Sequence, residues 1–196
     1  TDVMTLAHPI NSLPAVQLAG IEFYEGVVKG PEPEQGVRHL VRQAASLMHS
    51  FTDLQLLQYP TQLISGAGSV WYDVVAEELT AAQLPQHIKL VLRPGCYISH
   101  DQGIYQQAQQ RVQARSSLAC SLGEDLQNAL ELAVYVQSLP EPGLAVLGFG
   151  KRDAAFDAGL PQAIALYRNG ELQSTALQHC ETNKVMDQHA FWRYDQ

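Results

Sequence analysis

Between residues 34 and 51 the apolar positions recur at three- and four-residue steps. Val37, Leu40, Val41, Ala44, Leu47, Met48 and Phe51 fall on one stripe, which predicts an amphipathic helix. Glu32 and Glu34 lie near its start, where the helix dipole favours acids. His39 and His49 are read as solvated residues on or beside its outer face. Before this helix, Gly20–Val28 reads as a buried strand and its exit loop, and Pro31 and Pro33 separate the two. After it, a strand is expected near Leu54–Ser65, interrupted at Tyr59-Pro60, and then a short helix near Val74–Leu79. Strand, helix, strand, helix is the grammar of a parallel α/β unit. Ligands in such folds collect at the carboxyl ends of the strands.

After Pro85 the helical stripes largely vanish. Ile88–Leu92 predicts a strand, Arg93-Pro94-Gly95 a turn, and Cys96–Asp101 a second strand. Residues 104–114, with five glutamines, have no clear pattern. Ala129–Ser138 and Leu144–Phe149 read as strands. Ile164–Tyr167 and Glu171–Gln173 flank Arg168-Asn169-Gly170, a hairpin signal through Asn-Gly. The expectation is an α/β domain over residues 1–83 and a β-rich domain over residues 84–196.

The stretch that carries chemistry is Leu63–Asp73. An apolar run reaches Ser65-Gly66-Ala67-Gly68-Ser69, a turn with two glycines and two serines. Glycines let backbone N–H groups approach an anion, and successive N–H groups form an anion-binding nest. The serine hydroxyls add donors, and a helix starting just beyond adds its positive end. This turn is the candidate cradle for the phosphate of a ligand or cofactor. The segment Tyr24–Gly26 lies at another predicted carboxyl end, which supports the same reading.

Composition narrows the partners. The chain has 196 residues, 46% of them hydrophobic, and a formal charge of −8. That balance argues against nucleic acid and against anionic membrane surfaces. No apolar run approaches the roughly 20 residues needed to span a bilayer, and no signal-peptide pattern opens the chain. Cys96, Cys120 and Cys180 are widely spaced and odd in number. They suit reduced thiols, and the expected location is cytoplasmic. The chain opens at Thr1 without Met and closes straight after an aromatic run, so a fragment or one chain of a larger protein is expected.

Several stretches together resemble one family. They are Gly20-Ile21-Glu22-Phe23-Tyr24-Glu25-Gly26-Val27, Gly66-Ala67-Gly68-Ser69, Leu92–Asp101 with its Arg93-Pro94-Gly95-Cys96-Tyr97 turn, Gly150–Pro161, and Asp187-Gln188-His189-Ala190-Phe191. In that order they resemble the pyridoxal-phosphate enzymes of the D-threonine aldolase and D-serine dehydratase branch, which have an alanine-racemase-like fold. The resemblance implies a partial (β/α) barrel followed by a β-rich domain, and pyridoxal 5'-phosphate as cofactor. It implies a lyase acting on a D-hydroxyamino acid, by aldol cleavage or by dehydration and deamination, in a homodimeric full-length protein. It also implies that the Schiff-base lysine lies upstream of Thr1. A metal motif for a divalent ion such as zinc or manganese would lie beyond Gln196. On this reading the chain alone is inactive.

The cofactor-binding residues implied are Tyr24, Ser65, Gly66, Ala67, Gly68, Ser69 and Tyr72. The catalytic candidates are Tyr97, His100 and His189. Adjacent His100 and Asp101 on a strand would point to opposite faces. Cys96 has no cationic neighbour in the sequence to activate it as a nucleophile. None of the four lysines, Lys29, Lys89, Lys151 and Lys184, matches the Schiff-base position. Two other readings stand beside the lyase: a non-catalytic pyridoxal-phosphate-binding protein on the same barrel, and an unrelated phosphate-binding barrel enzyme.

Overall fold

A computed structural model describes residues 2–123, 126–173, 177 and 180–194. The chain divides into two compact units, residues 1–129 and 130–196.

The first unit is a parallel α/β layer. The helix α1 (Asp2–Asn11) leads to β1 (Gly20–Glu22), α2 (Pro33–Asp53), β2 (Leu63–Gly66), α3 (Tyr72–Ala81) and β3 (Lys89–Leu92). The strands pair in parallel in the order β1-β2-β3. Gly20 stands opposite Leu63, and Gly66 opposite Leu92. The predicted stripe on α2 is the core-facing one: Val37, Val41, Ala44, Met48 and Phe51 are buried against Ile21, Phe23 and Ile64 of the sheet and Val74, Val75 and Leu79 of α3. Such burial is the main source of stability for a helix of this length. His39 is exposed, while His49 places a ring nitrogen 3.1 Å from the Ala82 carbonyl oxygen. The α2 and α3 helices are also clamped by charge. The buried carboxylate of Glu78 takes hydrogen bonds from Arg38 at 2.8 Å and from Arg42 at 2.6 and 2.9 Å.

Beyond β3 the structure departs from the expected β-rich domain. Residues 95–97 form a 3-10 turn, so Cys96–Asp101 is not a strand. The glutamine-rich stretch is the helix α4 (Ile104–Arg115), and α5 (Ser117–Leu122) follows. The physical cause is at the start of α4. The Asp101 carboxylate accepts the N–H groups of Gly103 at 2.7 Å and Tyr105 at 3.1 Å, which satisfies donors that the helix leaves unpaired. Ala108, Gln109 and Val112 then form a narrow buried face, too short to stand out as a stripe. The Arg115 guanidinium at the other end grips Asp73 at 2.6 and 2.7 Å and lies 4.7 Å over the Trp71 ring. The parallel unit therefore continues well past residue 84. The expected strand over Leu54–Ser65 is also shorter, and only its end is β2.

The second unit is antiparallel. It contains β4 (Val136–Glu141), β5 (Leu144–Leu147), β6 (Tyr167–Arg168), β7 (Glu171–Leu172), β8 (Cys180–Val185) and β9 (Ala190–Tyr194). One sheet has the order β4-β5-β9-β8, and β6 and β7 form the predicted hairpin. Asn169 and Gly170 take φ of 54° and 85°, the left-handed pair that a two-residue hairpin turn requires. Ala145, Leu147, Phe149, Val185, Ala190 and Trp192 form the core. The strand read over Ala129–Ser138 begins only at Val136, and every residue of β4 is exposed.

Candidate functional site

The parallel topology brings three segments together at the carboxyl ends of β1, β2 and β3. They are Phe23–Glu25, Gly66–Ser69 and Arg93–Tyr97. Each follows its strand directly, and the strands are neighbours in register.

The glycine turn sits at the centre. Ser65 is buried, and Ala67 is buried with a left-handed φ of 68°, uncommon for a residue with a side chain. The Gly68 N–H donates to the Glu25 carboxylate, Oε1, at 2.6 Å. A Cβ at Gly68 would lie 3.3 Å from that oxygen and 3.4 Å from the Tyr24 ring, so glycine suits the close approach. The hydroxyl of Ser69 accepts the Cys96 N–H at 3.0 Å, tying the turn to the segment after β3. Among the described residues the N–H groups of Ser69 and Val70 make no hydrogen bond. They lie just before α3, whose first turn adds the positive end of a ten-residue helix. Asp73 in that first turn is paired with Arg115, which offsets its negative charge.

Arg93 joins the three segments. Its guanidinium donates to the Ser65 hydroxyl at 3.0 Å, to the Phe23 carbonyl at 3.2 Å and to the Glu22 carboxylate, and its backbone N–H reaches the Gly66 and Ala67 carbonyls. Neither Arg93 nor Glu25 stands out in the sequence as a functional residue. The signal for Arg93 was its place directly after the third strand. That for Glu25 was its place inside the Tyr-Glu-Gly segment.

The other predicted residues are distributed as follows. Tyr24 is exposed, its ring lies where a side chain on Gly26 would have to stand, and it reaches to within contact distance of Gly68. The Tyr72 hydroxyl donates to Gln109 Oε1 at 2.7 Å, an internal tie between α3 and α4. Tyr97 is exposed in the 3-10 turn after β3. His100 is 4% exposed and left-handed at φ 41°, its N–H bonded to the Cys96 carbonyl at 2.8 Å. His189 belongs to the second unit, where its ring meets the edge of Phe191 at 5.2 Å. Within the first unit, Tyr105 is pushed up to about 12 by its hydrogen bond to Cys96 and by burial.

All four lysines are exposed. Among the described residues no three His, Cys, Asp or Glu side chains gather to hold a metal ion, and no helix is long and apolar enough to cross a membrane. An apolar cavity of about 330 Å³ lies between α1, α2 and β1. None of residues 65–69 lines it.

The donor set fits a phosphate. It offers two unpaired N–H groups at a helix start, two serine hydroxyls, and an arginine that braces the turn.

No family model matches the chain, and no curated protein matches it by sequence. The chain shares a fold with the crystal structure of D-threonine aldolase from Filomicrobium marinum, at a TM-score of 0.64 and 15% identity. The match covers 98% of this chain and 44% of that one, so the chain spans less than half the length of that enzyme. At this identity the likeness establishes the fold: a mixed α/β chain with a parallel sheet and antiparallel sheets.

Proposed function

We propose that the chain is the later part of an alanine-racemase-like barrel and the β-rich domain that follows it, in a pyridoxal-phosphate-dependent lyase acting on D-hydroxyamino acids. The observation that carries the reading is the turn at Gly66–Ser69, with the unpaired Ser69 and Val70 N–H groups at the start of α3. The shared fold with a D-threonine aldolase supports it.

In this reading the Ser69 and Val70 N–H groups and the Ser65 and Ser69 hydroxyls hold the phosphate. Arg93 fixes the turn by bonding to Ser65 and to the carbonyls of Gly66 and Ala67. Tyr24 orients the pyridine ring from its place beside Gly68. When bound, the cofactor supplies the electron sink for the substrate's α-carbon. Within the first unit, proton handling at the substrate is assigned to Tyr97 and His100. The activity belongs to a protein that joins this chain to a Schiff-base lysine, and that protein is proposed to be a homodimer.

The test has two arms. Pyridoxal 5'-phosphate is titrated into the chain, with binding followed by cofactor absorbance and by quenching of Trp71 fluorescence. Saturable binding that Ser69→Ala weakens is expected. Then turnover of D-threonine and D-serine is assayed in the protein that carries the lysine. Absence of saturable binding would sink the cofactor reading. Binding without turnover of either substrate would favour a non-catalytic carrier.

A further inference from the structure

Glu25 is the least expected group at the turn. Its side chain is 1% exposed, and it is a carboxylate at the carboxyl end of β1. Burying a carboxylate is costly unless it is paired. Yet Oε1 has one partner, the Gly68 N–H at 2.6 Å, and Oε2 has none among the described residues. The short contact is a charge-assisted hydrogen bond, stronger than one between neutral groups. A carboxylate on the Gly68 N–H also excludes a phosphate oxygen from the same donor, since like charges repel at that distance.

We propose that Glu25 is the positioning residue of the turn. Its carboxylate anchors the Gly68 peptide, holds Ala67 in its left-handed conformation, and leaves the phosphate to the next two N–H groups, Ser69 and Val70. This rests on the phosphate reading above, and it removes Gly68 from the direct ligands of the phosphate. Tyr24 packs against the same glycine, so Glu25 and Tyr24 brace the turn from one side. Glu25 acts on the ligand only through the backbone.

The test uses the whole chain, isotopically labelled, with amide spectra recorded for wild type, Glu25→Gln and Glu25→Ala. The Gly68 amide proton should stand downfield in wild type, remain so in Glu25→Gln, whose amide oxygen still accepts, and move upfield in Glu25→Ala. Titration with pyridoxal 5'-phosphate and with inorganic phosphate should shift the Ser69 and Val70 amides most. Glu25→Ala should weaken pyridoxal 5'-phosphate about tenfold, equivalent to about 1.4 kcal/mol. Glu25→Gln should restore binding, and pyridoxal, which lacks the phosphate, should bind all variants equally. If Glu25→Ala is unfolded by circular dichroism, Glu25→Asp, one methylene shorter, carries the same expectation. Tighter phosphate binding by Glu25→Ala would show that Glu25 competes with the ligand and would overturn the proposal. An unmoved Gly68 amide would overturn it too. If wild type binds neither phosphate compound, the cofactor reading fails and takes the phosphate half of this proposal with it, while the Gly68 amide still reports on the anchor.

Discussion

Gly20 is where β1 comes closest to β2, and replacing it by alanine gives a sharp test of how the site is held. A Cβ at Gly20 would lie 1.7 Å from the Leu63 carbonyl oxygen and 2.7 Å from its carbon. Both are backbone atoms of the paired strand, and no rotamer change relieves them. Ordinary contact begins near 3.4 Å, so the strands must part by about 1.7 Å (3.4 − 1.7) at that point. Two hydrogen bonds flank the pair, Leu63 N–H to Ala19 at 3.0 Å and Phe23 N–H to Ser65 at 3.0 Å. Neither survives such a displacement. Their loss costs about 1 kcal/mol each, and the forced overpacking about 1–3 kcal/mol more. The expected destabilisation is about 3–5 kcal/mol, a large part of the stability of an ordinary domain.

Urea unfolding followed at 222 nm suits this measurement, because all the described helices lie in the first unit and dominate that signal. The control is Gly95→Ala, where a Cβ meets nothing within 4 Å and the change should stay within about 0.5 kcal/mol. Equal midpoints for Gly20→Ala and Gly95→Ala would refute the strand spacing. The β1 displacement should also carry Glu25 away from Gly68, so Gly20→Ala should weaken phosphate binding in the fraction that remains folded.

Three further expectations concern the rest of the chain. Glu78 is held below the ordinary carboxylate value of 4.5, first by its hydrogen bond from Arg42 and then by that from Arg38. Its lowered folded-state value means that its contribution to stability is present above that ordinary value and fades as pH falls through the lowered one. Glu78→Gln should flatten the acid limb of a plot of unfolding midpoint against pH, and an unchanged limb would refute the clamp. Tyr105 should titrate near 12 in a difference spectrum of wild type against Tyr105→Phe, and Cys96→Ala should move it back toward 10. Because its folded value is raised, the stability it gives is present below about 10 and lost as pH rises through about 12. In the second unit the buried Trp192 indole N–H has no partner among the described residues. Trp192→Phe removes that unpaired donor and should change stability by less than about 1 kcal/mol, while Trp192→Ala should cost about 3–5 kcal/mol. Heat denaturation followed by near-ultraviolet circular dichroism separates the two.

The elements legible in the sequence were those whose period came from a wide buried face. The α2 stripe was readable because five of its residues are buried, and the β6–β7 hairpin because Asn169-Gly170 has few alternatives. The α4 helix was not readable. Its buried face is three residues wide, and its start depends on Asp101, three positions before it. Leaving residues 104–114 unassigned and reading Cys96–Asp101 as a strand puts the expected domain boundary at residue 84, although β3 pairs in parallel with β2 and belongs to the first unit. At the site, the glycines and serines of the turn were legible because their chemistry is local. Glu25 and Arg93 were not, because their roles come from partners 43 and 28 residues away.

That long-range dependence explains why the site is held together as it is. In a parallel sheet each strand ends on the same side, so every carboxyl end brings a new loop to one place. Here the loop after β1 delivers an acid, the loop after β2 a nest of N–H groups, and the loop after β3 a base. Arg93 bonds to both neighbours, and Glu25 bonds to the middle one. The turn itself is left with its strained Ala67 and few bonds of its own, so its conformation depends on these two side chains. A phosphate held there would sense a change in either of them without touching it. The consequence is a ranking: Arg93→Ala, which removes the bonds to Ser65 and Phe23 together, should weaken phosphate binding more than Ser69→Ala, which removes one hydroxyl. The reverse order would mean that the hydroxyl, not the backbone nest, carries the anion.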